Sequence, residues 1–189
     1  DEVAVQADDV LPVWQLADRP GLFGPTSQLL QASIDQGIAE AAVADAKRFV
    51  RERSRPWVDS GVEHAHDDPY LIADIGRLQM DLHAAREVLR ETGTLFDALA
   101  AQATISAEDS ARASVAVAEA KVLTTRIALL ASEKLFELAG SSATRAAHNL
   151  DRHWRNARVH TLHDPVRWKL HLIGNYRLNG KLPARHSWN

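Results

Sequence analysis

Three long segments of the chain carry apolar residues at helical spacing, and this pattern limits the fold to a helical one. They span residues 26–53, about 68–103 and about 106–138. The second opens on Asp68 followed by proline, and the third opens on Ser106 with an acidic residue three positions later; both are typical helix start signals. The sequence therefore predicts three helices, the first of them roughly 40 Å long.

Shorter helices complete the predicted fold. Gly140, Ser141 and Ser142 interrupt the third long segment, and two helical stretches follow over about 145–158 and 164–175. Because the connections are short, neighbouring helices should run antiparallel. The alanine-rich third helix should let its neighbours approach closely.

We predict an all-α, antiparallel helical bundle over residues 26–178, with a tail over 179–189. The first helix should bury one apolar face against the rest of the bundle. Its members at helical spacing are Leu29, Leu30, Ile34, Ile38, Ala41, Ala42, Phe49 and Val50.

The first residues follow a different pattern. Val3 and Val5 alternate with other residues, and a turn at Pro12 follows, which is typical of a strand and a turn. A lone strand needs a partner to satisfy its backbone groups. We therefore interpret residues 1–25 as the end of a β-domain and a linker, and expect the chain to be the C-terminal part of a longer protein.

Composition argues against several classes of function. The net charge of −3 is unlike that of a nucleic-acid-binding protein, and the absence of cysteine excludes disulfides and cysteine-held zinc. No apolar run approaches the ~20 residues of a membrane-spanning helix, and the first residues do not resemble a signal peptide. We expect a cytoplasmic protein without nucleic-acid or membrane partners.

Charge and chemistry concentrate in residues 152–165, which read RHWRNARVHTLHDP. Arginines can bind a phosphate, and histidines can exchange protons near neutral pH. Arg152, Arg155 and Arg158 fall three positions apart, so they face either an anionic ligand or solvent and a partner subunit. No metal is expected, because a bundle metal centre requires repeated Glu-x-x-His motifs that this sequence lacks.

Three stretches carry a resemblance to a known family: RERSRPW after the first long helix, FELAGSSATR at the end of the third, and DRHWRNARVHTLHDP. Their order and content resemble the acyl-CoA dehydrogenase superfamily, and within it the flavin-dependent monooxygenase branch that acts on organosulfur compounds. The resemblance covers roughly residues 26–178. It implies the C-terminal helical domain of that fold and a homotetramer.

The resemblance assigns cofactor-binding roles to Arg53 and to the turn of Gly140, Ser141 and Ser142, hereafter the glycine turn. Both match positions that reach the flavin of a neighbouring subunit. A glycine lets the backbone come close to a ligand, and serines offer hydroxyl and N–H groups to a phosphate. The plainer interpretation is an ordinary loop at the end of a helix.

His163 is the residue on which the resemblance places chemistry. The matching histidine lies beside the flavin ring, where a neutral imidazole could donate a hydrogen bond to the reacting oxygen. His160, three residues earlier, is a second catalytic candidate. The plainer interpretation is that both are loop histidines bonded to backbone carbonyls.

The implied function is oxygenation of an organosulfur or similar apolar small molecule by O2 and reduced flavin. FMN is the expected cofactor, FAD is possible, and a separate flavin reductase would be a partner. One alternative is an acyl-CoA dehydrogenase. Against it, Asp164 stands where that family has a catalytic glutamate, and as the expected N-cap of the next helix it would be a poor base. A second alternative is a non-catalytic helical domain used for assembly.

Overall fold

Five α-helices make up the regular structure of the protein, which is a computed structural model describing residues 2–186 and 188–189. They are α1 (Phe23–Glu52), α2 (Pro69–Ala100), α3 (Ala107–Ala139), α4 (Asp151–Leu162) and α5 (Val166–Asn179). Short 3₁₀ turns lie between them, and no strand occurs among the described residues. The prediction of an all-α bundle is confirmed.

Hydrogen bonds at both ends of α1 and α3 fix the direction of the long helices. Ser110 Oγ donates to the Gly21 carbonyl at 2.8 Å, and Ser54 Oγ donates to the Ala139 carbonyl at 3.0 Å. Helices α1 and α3 are therefore parallel. Helix α2 runs antiparallel to α3, since Thr92 near its end contacts the Ala116 carbonyl near the start of α3. The three long helices have an up–down–up arrangement.

The alanine-rich helix α3 forms the centre of the bundle. It contacts α1, α2, α4 and α5, and its buried alanines allow close approach of the neighbouring helices. The prediction for α1 was partly wrong: Ala42, Phe49 and Val50 are buried, but Leu30 and Ile34 are 62% and 49% exposed. The buried face of α1 instead includes small and polar residues, among them Gln28, Ala32, Asp35, Ala39 and Ala46.

The predicted starts of α2 and α3 are confirmed in detail. The Asp68 carboxylate accepts hydrogen bonds from the N–H groups of Tyr70 and Leu71, with proline at the first helical position. Ser106 and Asp109 form a capping box, in which each side chain accepts from the other residue's backbone N–H. Such caps satisfy N–H groups that have no partner within the helix.

The predicted N-terminal strand is not formed. Residues 2–6 have no regular structure, a 3₁₀ turn follows at Ala7–Asp9, and Val3 is 82% exposed. An extended segment becomes a strand only by pairing with another, and the described residues offer no second strand.

The first short helix begins later than predicted. A 3₁₀ turn at Ala146–His148 is capped by Asn149, whose φ of 49° is left-handed, and α4 starts only at Asp151. A left-handed residue ends a helical run, so the expected helix from residue 145 is split. Helix α4 packs antiparallel to α1, because His153 contacts Asp45 and His160 contacts Asp35.

Candidate functional site

A pocket rich in arginine lies where the ends of α1 and α3 meet. Its volume is about 630 Å³. The structure brings Arg53 and the whole glycine turn together at its wall. The lining of this pocket, hereafter the arginine pocket, is Phe49, Arg53, Arg55, Ala139, Gly140, Ser141, Ser142, Arg145 and His148. None of these residues is acidic, so the pocket favours an anion.

Local structure holds the two sides of the arginine pocket in place. Ser54, next to Arg53, donates to the Ala139 carbonyl, next to the glycine turn. Gly140 ends α3 with φ 81° and ψ 176°, a conformation that a residue with a side chain rarely adopts. This backbone turns the chain sharply and leaves Ser141 and Ser142 at the pocket wall.

The arginines of the pocket have no partners of their own. In the part of the chain that the structure describes, the guanidinium groups of Arg53, Arg55 and Arg145 form no ion pair or hydrogen bond with protein atoms. By contrast, Arg152 pairs with the Asp45 carboxylate and Arg155 with Asp151. Three unpaired guanidinium groups around one cavity are well suited to bind a phosphate.

Sequence reasoning missed two of these three arginines. Arg55 lies in the motif RERSRPW, two residues after Arg53, and Arg145 lies in FELAGSSATR, three residues after Ser142. Their closeness to these candidate residues is the feature of the sequence that could have identified them. The arginines of residues 152–158, for which an anionic ligand was one of two interpretations, line none of this pocket.

The two candidate catalytic histidines lie side by side at the end of α4. Their ring centroids are 5.3 Å apart, and the ring of His163 is 5.7 Å from that of Trp188. His163 is exposed and follows the last residue of α4. Its Nδ1 lies 2.5 Å from the His160 carbonyl oxygen, so the plainer interpretation of a histidine bonded to the backbone describes this contact.

That contact determines what His163 can do. A carbonyl oxygen only accepts, so the proton of the contact belongs to Nδ1 of His163. A neutral ring then has no proton on Nε2 and accepts a hydrogen bond there. It donates from Nε2 only after taking up a second proton. The expectation that a neutral His163 donates a hydrogen bond does not match this geometry.

His160 contacts a buried charged cluster rather than the backbone. Its Nδ1 lies 2.6 Å from Oδ1 of Asp35, whose Oδ2 accepts from Lys121 at 2.8 Å and from Thr125 at 3.1 Å. The side chains of Asp35 and Lys121 are both 0% exposed. These four residues, hereafter the Asp35 cluster, join α1, α3 and α4. Of these four residues, only His160 was a candidate from the sequence.

The arginine pocket and the histidine pair are separate places on the molecule. Neither His160 nor His163 lines the pocket, and the 12 residues of α4 between them span about 18 Å. Among the described residues, no group of three or more His, Asp or Glu side chains is placed to hold a metal ion. No described helix is both long and apolar enough to cross a membrane.

A family model matches most of the chain. The model for the acyl-CoA dehydrogenase C-terminal domain covers residues 29–168, which includes α2, α3, α4 and most of α1. The chain belongs to this family. The domain is 35% identical over 184 residues to a dibenzothiophene monooxygenase of Mycolicibacterium goodii, a match that covers 97% of this chain and 44% of that protein.

Solved structures of two monooxygenases are also similar to this domain. A dibenzothiophene monooxygenase of a Paenibacillus species, TdsC, superposes with a TM-score of 0.86 in its FMN-bound form, at 34% identity, covering 89% of this chain and 42% of TdsC. The methanesulfinate monooxygenase MsuC of Pseudomonas fluorescens has a TM-score of 0.84 at 36% identity, covering 87% of this chain and 43% of MsuC. The domain therefore spans less than half the length of these relatives.

Asp164 of the domain is not the helix cap that the sequence predicted. Pro165 is the N-cap of α5 and separates Asp164 from the helix, and no side chain caps its first turn. Oδ2 of the buried Asp164 instead lies 3.2 Å from Nζ of Lys169. Burial lowers the pKa of Lys169 below its ordinary value, and the charge of Asp164 only partly offsets this effect.

Proposed function

We propose that this domain is part of a monooxygenase that uses reduced FMN and O2 to oxygenate an organosulfur or similarly apolar small molecule. The observation that carries the proposal is the arginine pocket, which has no acid in its lining and three guanidinium groups that have no partner among the described residues. The relatives named for dibenzothiophene and methanesulfinate oxygenation, and the FMN-bound relative, support the substrate class and the cofactor.

The arginine pocket fits the phosphate group of FMN. Arg53 and Arg145 both line the pocket, one after α1 and one after the glycine turn. Charge-assisted hydrogen bonds from guanidinium groups to phosphate are among the stronger polar contacts in proteins. The serine hydroxyls of the glycine turn would complete the set of donors around the phosphate.

Reduced FMN, when bound, supplies the electrons that activate O2. The role of the domain's own residues is to accept and donate protons near the reacting oxygen. Nε2 of His163 accepts a proton while Nδ1 remains bonded to the His160 carbonyl, and the resulting cation then donates a hydrogen bond from Nε2. His160 lies next to it, with the two ring centroids 5.3 Å apart.

The dehydrogenase alternative is weaker on this geometry. A base that removes a proton from an acyl-CoA needs a free carboxylate, and Asp164 is buried beside the ammonium group of Lys169. A buried carboxylate held beside an ammonium group is a poor base for an external substrate. We therefore propose oxygenation rather than dehydrogenation.

The proposal includes two further points that rest on the family resemblance. The protein assembles as a homotetramer, because Arg53 and the glycine turn match positions that contact a neighbour's flavin. A separate reductase provides the reduced flavin. A cytoplasmic location, expected from the composition of the sequence, is also part of the proposal.

Anaerobic titration of the protein with reduced FMN tests the phosphate site. Arg53→Ala and Arg145→Ala should each weaken binding about 10- to 100-fold, since each removes a charged donor. Arg90→Ala is the matched control, because Arg90 is exposed on α2 and pairs with Glu87. Binding of FMN that is unchanged in both pocket variants would contradict the assignment of the pocket.

The reaction is tested by adding O2 and dibenzothiophene to the protein loaded with reduced FMN. Formation of an oxygenated sulfur product is the expected result. Reduction of oxidised flavin by an acyl-CoA, with no need for O2, would instead indicate a dehydrogenase. A protein that binds no flavin at all would be a helical assembly domain.

A further inference from the structure

Three members of the Asp35 cluster, Asp35, Lys121 and Thr125, have no direct part in the proposed reaction, although their burial is costly. A carboxylate and an ammonium group with no exposed surface are stable only when each is paired and hydrogen-bonded. Here both oxygens of Asp35 are used: Oδ2 accepts from Lys121 and Thr125, and Oδ1 faces Nδ1 of His160.

We propose that Asp35 is a positioning residue that fixes the tautomer of His160. A carboxylate oxygen accepts hydrogen bonds, so the proton between Oδ1 of Asp35 and Nδ1 of His160 belongs to the imidazole. The neutral ring then carries its proton on Nδ1 and presents Nε2 without a proton. Among the described residues Nε2 of His160 has no hydrogen-bond partner, which leaves it available to a ligand.

Lys121 and Thr125 hold Asp35 in the orientation that this role requires. Both donate to the same oxygen, at 2.8 and 3.1 Å, so the carboxylate cannot rotate without losing them. The side chain of His160 is 20% exposed, whereas that of Asp35 is fully buried. The cluster therefore links a rigid interior on α1 and α3 to a histidine that reaches the surface.

The neighbouring His163 also carries its ring proton on Nδ1, but a backbone carbonyl and not a carboxylate accepts it. Its Nδ1 proton goes to the carbonyl of His160, and its Nε2 has no partner among the described residues. Two imidazole rings 5.3 Å apart thus present two unprotonated Nε2 atoms. We infer a pair of proton acceptors at the end of α4, set by Asp35 in one case and by the helix backbone in the other.

Ring nitrogen NMR of the full chain labelled with ¹⁵N-histidine tests the tautomer directly. In alkaline solution, His160 should show a protonated Nδ1 and an unprotonated Nε2. The wild-type spectrum needs no variant and no flavin, so it gives a result even if the proposed function is wrong. A wild-type His160 with its proton on Nε2 would overturn the inference.

Asp35→Asn should reverse the tautomer. Lys121 and Thr125 both require an acceptor, so the amide oxygen should take the place of Oδ2, and the amide NH₂ should face Nδ1 of His160. Nδ1 must then accept, and the ring proton moves to Nε2. An unchanged tautomer in a folded Asp35→Asn protein would contradict the positioning role.

Thr125→Val is the second variant and keeps the test open if Asp35→Asn does not fold. It removes one donor to Asp35 but leaves Lys121 in place, so the tautomer of His160 should stay as in the wild type. Reversal of the tautomer in Thr125→Val would show that Lys121 alone does not hold the Asp35 carboxylate. That result would overturn the role of Asp35 in positioning His160.

The consequence for turnover rests on the proposed function. Asp35→Asn should lower turnover about 100-fold while affinity for reduced FMN stays within twofold, since the arginine pocket lies at the other end of α4. The double variant with His160→Ala should be no slower than His160→Ala alone. Absence of flavin binding in the wild type would contradict the proposed function but would leave the NMR result intact. Equal turnover in Asp35→Asn and the wild type would overturn the positioning role.

Discussion

His153 Nε2 lies 2.8 Å from Oδ2 of Asp45, and both side chains are buried between α4 and α1. Together with the contact of His160 and Asp35, this gives α4 two histidine–carboxylate links to the same long helix. The two links lie seven residues apart on α4, on nearly the same face. They fix both the position of α4 along α1 and its rotation about its own axis.

Acid should weaken the Asp45 link before it unfolds the bundle. Burial acts to raise the pKa of Asp45, but hydrogen bonds from His153 and Arg152 and the charge of Arg48 outweigh it, so the pKa lies below its ordinary value. A carboxyl with a lowered folded-state pKa stabilises the protein above the unfolded-state pKa. That stability is lost as the pH falls through the folded-state pKa.

Asp45→Asn should therefore lower the free energy of unfolding by about 1–3 kcal/mol near pH 7. The difference from the wild type should shrink below about pH 4, where Asp45 of the unfolded wild-type chain begins to take up its proton, and should vanish as the pH falls through the lower folded-state pKa. Urea unfolding at several pH values measures both quantities. The same difference at about pH 3 and about pH 7 would contradict the assigned cause.

Lys121→Met should destabilise the protein strongly. The variant leaves the fully buried Asp35 carboxylate without its cationic partner, which costs about 3–5 kcal/mol in comparable buried pairs. Lys134→Met is the matched control, because Lys134 is partly exposed and pairs with Asp74 and Glu137 near the surface. We expect less than about 1 kcal/mol for the control. Denaturant unfolding of both variants compares them, and equal losses would refute the special role of the buried pair.

Gly140→Ala should affect both stability and flavin binding. The φ of 81° and ψ of 176° at Gly140 are strained for any residue with a side chain, at a cost of about 1–3 kcal/mol. Relief of the strain would move the glycine turn and weaken FMN binding. Gly37→Ala, at an exposed position inside α1 with open space around it, should instead raise stability by about 0.5–1 kcal/mol. Thermal unfolding and FMN titration of the two variants give the comparison; a Gly140→Ala protein as stable as the wild type would be at odds with the backbone geometry.

His163→Ala should separate O2 consumption from product formation. Loss of the proton-accepting Nε2 should lower the yield of oxygenated product per O2 consumed, with turnover reduced about 100-fold. His83→Ala, an exposed histidine on α2, is the control and should behave as the wild type. Simultaneous measurement of O2 uptake and product tests this. Unchanged coupling in His163→Ala would remove His163 from the reaction.

Local signals in the sequence predicted the long helices well. Asp68 and Ser106 mark their starts because a cap is formed by residues that are neighbours in the chain. Periodicity was less reliable for choosing the buried face of α1. Its large apolar residues Leu30 and Ile34 lie outward, since the close contact with α3 requires small side chains on the inner face.

The candidate site was only partly predictable. The motif resemblance identified Arg53 and the glycine turn, which the structure brings together. The Asp35 cluster could not be found in this way, because Asp35 is separated by 86 residues from Lys121 and by 125 from His160. A single acid within a helical stripe is ambiguous until its partners are known. Only the packing of α1, α3 and α4 makes Asp35 part of a site.

The separation of the arginine pocket from the histidine pair along α4 has a consequence for mixed assemblies. If the pocket of one subunit serves a neighbour's flavin, each chain contributes to two different reaction centres. A protein with Arg53→Ala and a protein with His163→Ala would then each be inactive for a different reason. In a mixed assembly, some reaction centres would combine an intact Arg53 from one subunit with an intact His163 from its neighbour. Activity would then return by complementation between subunits.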